Sequence, residues 1–253
     1  MLSLEEIQEL IKSFPDLSLI EVGCHVKRIS YDFCFKDVAL FPSDLQPMIF
    51  DEKKRIIVFG IKEPGTLDYN SRPIYDPQLR YGLAVVRDSK GFLREKARSA
   101  VLKSLSYLSY SSSGPFFYAS AASLLEAVAA IGGSTISPSH FFTQINSANS
   151  QIANRLLAIL EPDANIGEIL AHRLDVLASY QERGRSEITL KKALGLISNS
   201  KSLEASIFFF HEYAELGVER IQRAGREFMF GEVESKKMTQ LKEIIMELVN
   251  LIK

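Results

Sequence analysis

Residues 81–108 read YGLAVVRDSKGFLREKARSAVLKSLSYL, and within them the chain changes its period. Before this stretch, apolar residues come as short runs between Pro, Gly and charged turns. After it they recur every three or four residues almost to the end. Leu93, Ala97, Ala100, Val101 and Leu108 share one stripe when laid out at 100° per residue. Alternation with a period near two belongs to strands, and a period near 3.6 belongs to helices. The pattern therefore predicts an α+β fold, in which an N-terminal antiparallel β-sheet of about 4–5 strands is followed by a C-terminal multi-helix array. The β-rich region, with a short N-terminal helix, is placed at 1–91 and the helical region at 92–253. The turn Asp88–Gly91 between them is short enough for one shared core.

Outward from that switch the elements can be placed. Toward the N-terminus, residues 3–13 carry a capping box, Ser3 with Glu6, and an apolar stripe of Leu4, Ile7, Leu10 and Ile11. From Leu19 to Phe41 the pattern is β, but its parity flips. Ile20, Val22, Cys24 and Val26 share one face, and Ile29, Tyr31, Phe33 and Phe35 the other, which calls for a bulge or corner near Lys27–Arg28. A hairpin is expected at Met48–Phe50 and Ile56–Ile61 around the turn Asp51–Lys54. The run IIVFGI is apolar on both faces and predicts a central strand. Tyr81–Arg87 reads as a further strand. Helices are expected at 92–110, 116–131, 138–160, 165–183, 187–198, 202–230 and 233–252. They are broken by Gly114-Pro115, Gly132-Gly133, Pro162, Gly184 and Gly231.

Bulk properties exclude some classes of function. The chain is 46% hydrophobic with a net charge of −1, so no global field draws it to nucleic acid or to an anionic membrane. Cys24 and Cys34 are too few for a disulfide framework and form no CxxC, so they read as free thiols in a reducing compartment. The acidic N-terminus lacks the basic start and apolar run of a signal peptide. The most apolar stretch, Phe116–Ile131, is interrupted by Glu126. These features predict a soluble cytoplasmic protein with no membrane partner. Phosphate-binding and nucleophile-elbow motifs are absent. HEYAE at 211–215 has Glu215 where a zinc-binding HExxH has its second His, so neither a metal nor a cofactor is expected.

Three local features carry the functional expectations. The segment 63–80, EPGTLDYNSRPIYDPQLR, is a long connection with packing side chains of its own. Asp68, Asn70, Arg72, Asp76 and Arg80 are its candidate binders of a polar small molecule, which would make the protein an enzyme. Between Arg87 and Lys103, six basic residues and two acidic ones leave a local net of +4. Lys96, Lys103 and Tyr107 fall together on the outer face, with Arg94 nearby. Such a face neutralises phosphates and stacks on bases, which predicts nucleic-acid binding or processing. Third, the 202–230 helix is apolar on two sides. Phe209 and Leu216 lie away from its main stripe, and the C-terminal helix adds a seam that includes Leu241, Ile245 and Leu248. An extra apolar side is either sandwiched inside a bundle or meets another chain. Taken with the missing catalytic motifs, it makes the leading expectation an interaction protein, a subunit of a homo- or hetero-oligomer. Gly217 and Gly225 near that stripe predict a close approach by a neighbouring helix.

Overall fold

Ser3 starts the first helix, α1 (Leu4–Ser13), as its spacing to Glu6 predicts. The Ser3 hydroxyl accepts the Glu6 N–H at 3.3 Å, and the Glu6 carboxylate accepts the Ser3 N–H at 2.6 Å. The other Glu6 oxygen takes a hydrogen bond from Lys36 Nζ at 2.6 Å. Burial pushes the Glu6 carboxyl up, but the bonds from Lys36 and Ser3 outweigh it and hold the group below its ordinary value. The computed structural model describes residues 1–63, 71–84, 89–111, 113–145 and 149–253. It divides into two units, Met1–Ser89 with Arg183–Ile188, and Lys90–Glu182 with Thr189–Lys253.

The first unit is a mixed five-stranded sheet with α1. Its strands are β1 (Ser18–Val22), β2 (Lys36–Phe41), β3 (Met48–Asp51), β4 (Ile56–Gly60) and β5 (Arg72–Tyr75), in the order β3-β4-β2-β1-β5. Three pairings are antiparallel, and β2–β4 is parallel. The expected hairpin is β3–β4. Ile56 and Val58 on one face of β4 and Ile57 on the other are all buried, so both faces are covered, which accounts for its uninterrupted apolar run. Leu19, Val38, Leu40, Ile56 and Val58 build one core layer with Leu2 and with Leu10 of α1. Ile20, Val22, Ala39 and Phe41 build the other layer with Tyr81. Each fully buried aliphatic side chain contributes about 1.5–3 kcal/mol, so two covered faces hold this sheet without staples.

Three expectations for this unit are corrected. The parity flip near Lys27–Arg28 is not a bulge within a strand. The chain leaves the sheet after Val22 and turns through residues 23–35, with Arg28 at φ +59°, so Ile29–Phe35 forms no strand. The connection 63–80 supplies a strand, β5, which pairs with β1. Residues expected as a strand from Tyr81 begin a helix instead, α2 (Arg80–Ala84), and 85–88 lie outside the described residues. Asp76 is the cause. Its carboxylate accepts the Tyr81 N–H at 3.4 Å and the Gly82 N–H at 3.0 Å, the bonds that start a helical turn. A short apolar run is ambiguous between strand and helix, and here the cap decides it.

The second unit is helical. It contains α3 (Ser89–Tyr110) from Lys90 onward, α4 (Gly114–Ile131), α5 (Phe141–Gln144), α6 (Ser150–Leu160) and α7 (Glu168–Tyr180). It also holds α8 (Arg183–Ser198) from Thr189 onward, α9 (Ser202–Ala214), α10 (Val218–Ala224) and α11 (Ser235–Ile252). Pro115 sits in the first turn of α4, where its missing N–H costs nothing. This helix is long and apolar enough to cross a membrane by length and composition, and 78% of that stretch is buried within the protein. It packs against α6, α9, α10 and α11. The helix expected at 138–160 is divided: Pro138–His140 form a 3-10 turn, α5 follows, and α6 begins only at Ser150. The helix expected at 202–230 is divided at Gly217, whose φ of +80° is left-handed backbone that glycine adopts at little cost. Around the break an aromatic cluster forms. Tyr118 stacks on Phe230 at 4.6 Å, Tyr213 meets Phe228 edge-on at 4.7 Å, and Phe209 and Phe210 pack beside them.

Candidate interaction surface

Helix α3 sends one face into the helical unit and leaves the other uncovered. Ala97, Ala100, Val101, Ser104 and Tyr107 are buried at spacings of three, one, three and three. Ser104 Oγ lies 2.7 Å from Ser120 Oγ of α4, and the Tyr107 hydroxyl donates to the Ala214 carbonyl at 2.6 Å. Tyr107 was expected on the outer face, beside the lysines. It falls three residues after Ser104 and seven after Ala100, which turns it inward, and only 2% of it is exposed. Burial, together with the nearby Glu215 charge, pushes its phenol up to about 12 despite a hydrogen bond from the Gly217 backbone.

The basic residues of this helix are largely engaged. Lys103 donates to Glu215 at 2.6 Å. Lys96 lies 3.9 Å from Glu126 and over the Phe92 ring. Arg94 is exposed. The structure therefore does not bring Arg94, Lys96, Lys103 and Tyr107 together as one open cationic and aromatic face.

Beyond them, on the uncovered side, Arg98, Leu102 and Leu105 follow at i, i+4 and i+7, a single stripe. Leu102 is 60% exposed and Leu105 42%. With Val101 they form one wall of a groove, and Val249 and Ile252 of α11 form the other. Arg98 and Lys253 stand at the rim, and the groove encloses about 250 Å³. Glu95, one turn before Arg98, pairs with it at 3.4 Å, and both side chains are more than half exposed. The groove thus has apolar walls and a basic rim, with the Glu95–Arg98 pair beside it. The signal for it in the sequence is Leu102 and Leu105, two leucines off the inward stripe of α3.

The residues expected at an interface lie elsewhere. Phe209, Leu216, Leu241, Ile245 and Leu248 are all core residues of the helical unit, at most 7% exposed. Phe209 packs on Phe210, Tyr213, Phe228 and Phe230, and α11 packs against α4 and α6. The second apolar side of the 202–230 segment is sandwiched within the bundle. The segment is two helices joined at a bend, and the bend lets neighbours cover both sides.

Of the five residues expected to bind a polar ligand, Asp68 and Asn70 lie outside the described residues. Arg72, on β5, meets the fully buried Glu21 carboxylate at 2.5 Å. Asp76 caps α2 and takes the Ser18 hydroxyl at 2.6 Å. Burial pushes the Asp76 carboxyl up, but the bonds from Ser18, Gly82, Tyr81 and Arg80 prevail and hold it below its ordinary value. Arg80 is exposed. Arg72 and Asp76 each hold a strand or a helix in place. Comparison with protein-family models, with curated proteins and with solved structures finds no match.

Proposed function

We propose that this chain is a cytoplasmic, non-enzymatic interaction protein that self-associates through the groove between α3 and the end of α11. The observation that carries this reading is the apolar floor at Leu102, Leu105, Val249 and Ile252, with two leucines on one stripe left largely in solvent. A second copy is the occupant that its chemistry favours. An isologous contact sets a patch against itself, so the patch must be self-complementary. Here the floor is uniformly apolar, and Glu95 and Arg98 place opposite charges one turn apart beside it. A net charge of −1 leaves two copies with little long-range repulsion.

The test is the mass in solution, read by light scattering on a sizing column across a concentration series. The wild type should elute at a multiple of 28.4 kDa. The double variant Leu102→Glu, Leu105→Glu should run as a monomer that keeps the wild-type helix content by circular dichroism, since both side chains project from the folded chain. A wild type that stays monomeric at its highest soluble concentration overturns the reading. So does a multimer that ignores the substitutions.

A further inference from the structure

The turns at residues 23–35 bring the two cysteines of the chain face to face. Strands β1 and β2 pair down to Val22 opposite Asp37, and there the ladder ends. The chain between them does not splay. Lys27 N–H reaches the Gly23 carbonyl at 3.3 Å, Ile29 N–H the Cys24 carbonyl at 3.1 Å, and Cys34 N–H the Tyr31 carbonyl at 3.0 Å. A His25 ring nitrogen lies 3.3 Å from the Cys34 carbonyl and ties the two sides together. Tyr31 and Phe33 stack at 5.1 Å within the loop. Neither cysteine is in a disulfide, both are half-buried, and their sulfurs lie within 4.8 Å of each other. Closing the disulfide requires the two sulfurs to approach to about 2.05 Å.

We propose that Cys24 and Cys34 are a dithiol modification site, which exchanges with low-molecular-weight disulfides of the glutathione type to close an intramolecular disulfide. Half-burial admits a small disulfide more readily than a macromolecular one. Either order of attack closes the same disulfide, and the Tyr31 N–H, which donates to Cys34 Sγ at 3.3 Å, supports a thiolate on Cys34. Its thiolate attacks one sulfur of the small disulfide and releases one small thiolate, leaving a mixed disulfide on Cys34. The Cys24 thiolate then displaces the second small thiolate and forms the Cys24–Cys34 bond. Two electrons pass to the small disulfide, and the two cysteine protons end on the two thiols released.

The experiment uses the full chain in buffers that step from reduced to oxidised glutathione, quenched in acid and read by intact mass and by tryptic peptides. Trypsin cuts after Lys27 and Arg28, inside the loop. The oxidised wild type should lose two hydrogen masses, carry no glutathione and yield peptide 13–27 linked to peptide 29–36. Cys24→Ser should instead accumulate a glutathione adduct on Cys34, because the resolving thiol is gone. A wild type that keeps both thiols at every ratio overturns the proposal, as does one that retains glutathione adducts or links chain to chain. The wild-type readings alone decide it if the variant does not fold.

Discussion

The Arg173 guanidinium lies over the Phe230 ring at 4.4 Å and donates to two carbonyls of the same turn of chain and to Asn165. Arg173 Nε reaches the Phe228 carbonyl at 2.8 Å and Nη2 the Met229 carbonyl at 3.1 Å, while Nη1 meets Asn165 Oδ1 at 2.5 Å. A planar fork that also stacks is a task only arginine performs. Arg173→Ala leaves a fully buried Phe228 carbonyl and a buried amide oxygen without that donor. The expected loss is about 3 kcal/mol of unfolding free energy, read by urea titration. Arg173→Lys should recover less than half of it, since an ammonium matches neither the fork nor the ring. Equal stability of the lysine variant and the wild type would show that charge alone matters here.

Two neighbouring glycines should fail for different reasons. A Cβ at Gly225 would stand 2.9 Å from two Pro115 carbons and 2.8 Å from the Ile221 carbonyl oxygen, the close approach that the sequence predicts. Gly225→Ala is therefore expected to cost about 1–3 kcal/mol through overpacking. A Cβ at Gly217 would meet nothing within 4 Å, but φ is +80°. Gly217→Ala should cost about 1–2 kcal/mol through backbone conformation alone. Pro115→Ala should relieve part of the Gly225→Ala penalty and none of the Gly217→Ala penalty, a difference that a double-mutant cycle reads directly.

On α3, Tyr107 and Lys103 separate burial from charge. Tyr107→Phe removes a 2.6 Å hydrogen bond in the core and should cost about 1–2 kcal/mol, independent of salt. Lys103→Glu sets a carboxylate against Glu215 at a partly exposed site and should cost no more than about 1 kcal/mol, shrinking as salt is raised. Thermal melts of both variants at low and high ionic strength check the pair.

Asp76 makes the sheet unit sensitive to acid. Its folded pKa lies below the ordinary 3.8, so its stabilising contribution is fully present above that value and is lost as pH falls through 3.8 toward the folded value. Asp76→Asn keeps an acceptor oxygen but loses the charge. It should melt below the wild type at pH 7, and the gap should close in strong acid. Glu6 is also held low and titrates in the same direction, so wild-type stability should still fall in the Asn variant. A gap independent of pH would mean that Asp76 acts by shape rather than by charge.

Period and capping carried the sequence reading as far as local chemistry reaches. The Ser3–Glu6 box, the β3–β4 hairpin and the covered faces of β4 follow from residues within a few positions of one another. The rest is decided by contacts that the periodic pattern does not encode, most of them distant in sequence. Asp76 turns Tyr81 into a helix by hydrogen bonds to its backbone, and the apolar run itself carries no mark of that. Leu19 and Tyr75 pair across the sheet although 55 residues separate them. Phe209 reads as surplus apolar surface when one straight helix spans 202–230, and the bend at Gly217 supplies the neighbours that bury it. The groove depends on a neighbour far away in sequence. Leu102 and Leu105 look like strays from the inward stripe until α11 is placed beside them.

One strand bears on whether the sheet can be extended by a second chain. β5 ends the sheet order and carries Pro73, opposite Ile20. Proline has no N–H to donate, so a strand arriving from another chain would find an interrupted template there. Growth of the sheet from molecule to molecule is blunted at that margin. The opposite margin, β3, carries no proline, so the two edges of the sheet differ in what they offer an incoming backbone.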